Sequence, residues 1–210
     1  MKRLIFLLLA LLALAGCEKL SGERASSETH EALDTLRQSD PAGAVIKLKQ
    51  QLEITPRDDI VWTMLGHAYE DLDQDGEAEG AYRKALEINP RRFDAITGMG
   101  ILSRKKGEYD EAMAHYEKAL NIDPTYAPTY SSMTIIALKQ GKDAKALEYA
   151  KKGYDLKKTD PVIVANLAVA YHYNGMLKLR DEMTEEAKKL GYKKSDQLHK
   201  IYTGEMTLRD

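Results

Sequence analysis

The 210 residues are 43% hydrophobic and 30% charged, a balance that suits one globular or solenoid domain and gives no sign of a second fold. A formal net charge of −2 and a pI near 6.2 lack the basic excess that nucleic-acid binding uses. Cys17 is the only cysteine, so no internal disulfide can form.

The chain opens with Lys2 and Arg3 ahead of an unbroken apolar run at 4–14, too short to span a bilayer comfortably and laid out like a secretory signal. The run ends Leu14-Ala15-Gly16-Cys17, which resembles a bacterial lipobox. That resemblance implies removal of residues 1–16, a signal peptide, and lipidation of Cys17 as the new amino terminus. With three acyl chains the anchor would exceed the two signals that stable attachment needs. Glu18 stands where an aspartate would favour inner-membrane retention, so outer-membrane delivery, with the protein facing the periplasm, is expected. Residues 17–27 form the lipidated start and a polar tether. About ten extended residues reach no more than ~35 Å, so the rest works close to the membrane.

From residue 28 onward small and apolar residues recur three and four apart, the period of helices with one buried stripe. The first pair of helices is expected at 27–38 and 41–54, the second of them opened by the cap Asp40 and then Pro41. The next unit reads Trp62, Leu65-Gly66, Tyr69, Ala78, Tyr82, Ala85 and Asn89-Pro90. Thirty-four residues later Met99-Gly100, Ala112, Tyr116, Ala119 and Pro124 take the same places, with Ile96, Ser103 and Gly107 replacing Trp62, Tyr69 and Asp73. A third unit keeps Tyr130, Gly141, Ala146 and Ala150, but Thr134 stands for the glycine and Gly153 for an alanine. A fourth, at 161–194, has Leu167-Ala168, Tyr171, Gly175 and Ala187, and Ala32, Ala44 and Pro56 mark a weaker unit at 25–58. Ser195 to Tyr202 predicts a short helix covering the end of the stack, and 203–210 predict a frayed tail.

The order aromatic, Leu-Gly, aromatic, small, aromatic, small, proline across 59–126 resembles the tetratricopeptide repeat family. That resemblance implies an all-α, right-handed superhelical solenoid of helical hairpins at 28–194, about five repeats, followed by the capping helix and tail at 195–210. It also implies a non-enzymatic scaffold that binds an envelope protein or peptide along the first helix of each hairpin, the lining of the concave side. The positions in question are Thr63, Thr97, Ser131 and Ala165, then His67, Ile101, Ile135 and Val169 four residues further along, with Asn166 and Arg104 beside them. Neither row carries the lysine, asparagine or arginine of a carboxylate clamp, so an apolar helix face or an extended peptide fits better. Repeat lipoproteins of this kind assist secretin, pilus or outer-membrane complexes.

Other chemistry is thinly signalled. Asp71-x-Asp73-x-Asp75-Gly76 resembles the start of a calcium loop, but Tyr82 occupies the place of the closing glutamate. A small-molecule or cation-binding lipoprotein is therefore the alternative. His67 and Glu70 lie one helical turn apart, yet no HExxH, CxxC, phosphate loop or nucleophile elbow is present, so no cofactor, metal or catalytic site is expected. Residues 18–126 carry 14 Lys and Arg against 22 Asp and Glu, net −8, and 127–210 carry 15 against 11, net +4. The tethered part is acidic, so lipid rather than a basic patch is expected to hold the protein to the membrane.

Overall fold

A computed structural model describes residues 30, 33, 34 and 36–209. The expected signal peptide, Cys17, the tether and Ala32 lie outside the described residues. Every regular element among the described residues is helical. Helical residues between 30 and 39 precede α1 (Pro41–Ile54), α2 (Asp59–Asp71), α3 (Asp75–Ile88), α4 (Phe93–Lys105), α5 (Tyr109–Ile122), α6 (Ala127–Lys139), α7 (Asp143–Leu156), α8 (Pro161–Tyr173), α9 (Leu177–Lys189) and α10 (Ser195–Thr203). Helices α2/α3, α4/α5, α6/α7 and α8/α9 pack as hairpins, as the all-α hairpin reading requires. The chain forms two compact units, one ending at Ile88 and one beginning at Asn89.

Helix starts follow their caps. The Asp40 carboxylate accepts from the Gly43 amide, Asp58 from Ile60 and Val61, and Asp160 from Val162 and Ile163, each satisfying donors that a first turn leaves open. The turn inside each hairpin needs one residue in the left-handed region. Gly107, Gly141 and Gly175 supply it at 34-residue intervals, and in the first hairpin Asp73 takes the same conformation at φ 55°.

Each unit closes its core by setting a large side chain against a small one. In the first, the ring of Tyr82 lies where a Gly66 Cβ would be, and Ala44, Leu48, Val61, Ala78 and Ala85 are wholly buried around this crossing. In the second, Tyr116 lies 2.5 Å from the place of a Gly100 Cβ. The following hairpin inverts the sizes. Thr134 holds the glycine's place and Ala150 the tyrosine's, both buried, so Ala150 does not continue the tyrosine frame as the spacing suggested. In α8/α9 the pair is Ala168 and Thr184, and the Thr184 hydroxyl meets Tyr202 of α10 at 2.9 Å. Helix α10 thus covers the last hairpin with Leu198 and Ile201 buried.

The tail departs from the frayed end expected of it. The Leu208 amide donates to the Tyr173 hydroxyl, Arg209 stacks 4.7 Å from the Tyr173 ring, and its guanidinium reaches Asp143 at 2.5 Å. One apolar residue and one cation are enough to tie the segment down.

Glycine substitutions separate packing from propensity. Gly100→Leu is expected to cost about 1–3 kcal/mol because the ring of Tyr116 already fills the space. Gly80→Ala, on α3 with no atom within 4 Å of the added carbon, is expected to stabilise by about 0.5–1 kcal/mol. Urea denaturation of both variants checks the pair, and a stable Gly100→Leu contradicts the interlock.

Candidate functional site

The candidate positions fall on α2 in the first unit and on α4, α6 and α8 in the second. In the second unit these three helices touch in sequence, α4 on α6 and α6 on α8, so they present one continuous layer.

The row of small residues forms the seam of that layer. Thr97 donates its hydroxyl to the Phe93 carbonyl and receives one from Thr129 at 2.8 Å across the α4–α6 contact, fully buried. Asn166 donates from Nδ2 to Ser131 Oγ at 2.6 Å across the α6–α8 contact. Ala165 and Val169 belong to the core cluster with Val164 and Leu138. Thr63 in the first unit is likewise buried, its hydroxyl given to the Asp59 carbonyl. Five of the ten positions, Thr63, Thr97, Ser131, Ala165 and Val169, are therefore buried in the chain itself. Small residues let the helices approach, and their hydroxyls then satisfy one another.

The other five, His67, Ile101, Arg104, Ile135 and Asn166, stay half-buried. Ile101 leans on the cluster of Ala112, Tyr116, Met133 and Ile136 and keeps part of its surface open. Asn166 directs its amide donor to Ser131, and its Oδ1 takes no hydrogen bond among the described residues. At the far end of the layer His172 packs against Tyr173 and Tyr202. Burial first, and then the nearby Arg180, lower its pKa below the ordinary histidine value, which keeps the ring neutral at pH 7.

In the first unit His67 joins a network that spacing alone does not reveal. Tyr82, on α3, donates its hydroxyl to Glu70 Oε2 at 2.9 Å and lies 2.7 Å from His67 Nδ1. A hydroxyl has one proton, and the carboxylate takes it, so His67 Nδ1 must be the protonated nitrogen. Nε2 of the neutral ring is then an acceptor.

The three aspartates of the acidic turn take separate structural places. Asp71 is held by Arg37 at 2.5 Å, Asp73 is the left-handed turn residue, and Asp75 begins α3. No group of three or more metal-ligating side chains comes together among the described residues.

A cleft of about 510 Å³ in the first unit escaped the sequence reading. Leu52, Trp62, Leu65, Tyr69, Gly80 and Ala81 form its apolar wall, and Lys49, Glu53, Glu77 and Lys84 its rim. Trp62 is half-buried and donates its indole N–H to the Pro56 carbonyl. The one legible signal was Gly80, a small residue that no neighbour requires.

Residues 60–92 match the model of the tetratricopeptide repeat, residues 100–141 that of the TPR repeat, and residues 1–17 that of the prokaryotic membrane lipoprotein lipid attachment site. No curated protein matches the chain. Among solved structures, a thermophilic TPR protein of Thermus thermophilus is similar at TM-score 0.67 and 19% identity, over 83% of this chain and 97% of that one. PilF of Pseudomonas aeruginosa is similar at TM-score 0.60 and 19% identity, over 85% of this chain and 86% of that one. A chain in the APC/C hetero-tetramer Cut9-Hcn1 is similar at 0.65 and 20%, over 77% of this chain, which spans only 31% of that one.

Two substitutions test the network and the turn. In Tyr82→Phe the His67 ring is expected to lose its fixed tautomer, read by nitrogen NMR of the imidazole at pH 8, with a stability loss of about 1 kcal/mol. Asp73→Gly is expected to stabilise by about 1 kcal/mol, because glycine adopts the left-handed conformation without strain. Thermal melts check both. Two repeat matches, an attachment-site match and the paired helices of each hairpin together support the reading of the chain as a tetratricopeptide-repeat bacterial lipoprotein.

Proposed function

We propose that this protein is a lipid-anchored, non-enzymatic scaffold of the bacterial cell envelope, attached through Cys17, that binds a protein or peptide partner on the first helices of its hairpins. The observation that carries it is the layer α4, α6 and α8. Its polar seam is closed by its own hydrogen bonds, while Ile101 and Ile135 keep open surface beside it. A seam whose hydroxyls are already paired, beside open apolar surface, offers apolar contact plus a few directed groups, the terms on which helices and extended segments dock. Glu18 after the lipidated cysteine supports outer-membrane delivery, facing the periplasm, and the resemblance to repeat lipoproteins supports a role in assembling a secretin, pilus or outer-membrane complex. PilF supports the fold of this reading, and the Cut9-Hcn1 assembly is a case of a similar fold in a protein complex.

Two measurements test the proposal. A photo-crosslinking amino acid at Ile135, activated in cells, is expected to capture a discrete protein adduct that Ile101→Asp reduces at least tenfold. An adduct pattern indifferent to Ile101→Asp removes the face from consideration. Radioactive palmitate is expected to label the wild-type chain and not Cys17→Ala, and equal labelling overturns the anchor.

A further inference from the structure

We propose that the exposed face of α1 lies on the anionic surface of the bilayer that holds the lipid anchor, and so fixes which way the first unit points. The proposal rests on the lipid-anchor reading above and adds a second contact with phospholipid, made by the protein itself. Two kinds of side chain that this unit elsewhere buries or pairs are left open on α1. Ile46 and Ile54 are 60% and 76% exposed, and they are the large apolar side chains left exposed among the described residues of the first unit. The repeat does not require the first of them, since at 34-residue intervals its place is taken by Gly80, Ala114 and Glu148.

The charges sort in the same way. Arg37 pairs with Asp34 and Asp71, Arg83 with Glu79, and Lys84 with Glu87. Lys47, Lys49 and Arg57, all exposed, have no carboxylate partner among the described residues. Against these three cations the exposed positions from Ala42 to Arg57 set one carboxylate, Glu53, in a part of the chain that is acidic as a whole. Ile46, Gln50 and Ile54 are spaced by four, which sets them along one side of the helix. Lys47 donates to Gln50 Oε1 at 3.4 Å on that side, the Lys49 ammonium flanks it 5.5 Å from the centre of the Tyr69 ring, and Arg57 follows the end of α1. Isoleucines beside long cationic side chains settle at headgroup depth, the apolar groups among the upper acyl carbons and the cations at the phosphates. The anchor brings that surface within reach. Residues 18–29 separate Cys17 from the first described residue, and even fully extended they reach no more than about 40 Å. Acyl chains hold the protein to the bilayer and leave its orientation free, and the α1 face removes that freedom.

The test places a dansyl-bearing amino acid at Gln50 of the full chain, purified in detergent and reconstituted into vesicles of equal parts phosphatidylethanolamine and phosphatidylglycerol that carry a nitroxide lipid labelled near the headgroup. The dansyl emission is expected to be quenched. Quenching is expected to be at least fivefold weaker in vesicles of phosphatidylcholine alone, in the triple variant Lys47→Gln, Lys49→Gln, Arg57→Gln, and in the double variant Ile46→Ser, Ile54→Ser, while the melting temperature holds in each. No quenching in the anionic vesicles, or quenching that neither variant lowers, overturns the proposal. An emission shift that appears in micelles and grows with protein concentration also overturns it, because a second copy then covers the face. Palmitate labelling reads the anchor separately. A labelled chain without quenching removes the α1 contact and leaves the anchor, and an unlabelled chain whose quenching still follows the cations and isoleucines removes the anchor and leaves the α1 contact.

Discussion

The structure depends on one steric fit, a glycine on the first helix of a hairpin against a tyrosine ring on the second. Gly66 with Tyr82 and Gly100 with Tyr116 bring the helices close enough for the alanines at 78, 85, 112 and 119 to vanish from solvent. The packing at these two crossings is dense because each ring fills the space that its glycine leaves. Where the chain changes one partner it changes the other, as Thr134 with Ala150 shows.

Much of this was legible in the residues. The 34-residue spacing, the Asp-Pro starts and the turn glycines fix helix boundaries because each reflects a local requirement of the backbone. Exposure was harder to read. Thr97 and Ser131 looked like the lining of a groove, yet their partners, Thr129 and Asn166, come from neighbouring helices, and no local pattern announces such pairs. His67 and Glu70 were visibly neighbours, but the hydroxyl between them belongs to Tyr82, twelve residues from Glu70 on another helix. The half-buried setting of Trp62 depends on how α1 and α3 flank it, which its place in the repeat does not reveal. The tail was misjudged for a related reason, since Arg209 and Asp143 are sixty-six residues apart.

The two units offer different surfaces. The first carries the cleft walled by Trp62 and Tyr69, and on α2 the His67 ring, oriented by its hydroxyl and carboxylate neighbours. The second carries the α4, α6 and α8 layer with its closed seam. Closing the seam internally has a functional meaning. Thr97 and Thr129 hold each other out of solvent, so a partner docking over that part of the seam has no hydroxyl there to desolvate.

The inverted pair Thr134 and Ala150 also limits how this protein can change. A tyrosine at 150 without a glycine at 134 would meet an occupied space, and a glycine at 134 without the tyrosine would leave a hole, so neither site accepts the other hairpins' residue alone. The two positions are bound into a single heritable unit. Hairpins lifted from one place in the chain and grafted into another will keep their fit only if both halves travel together.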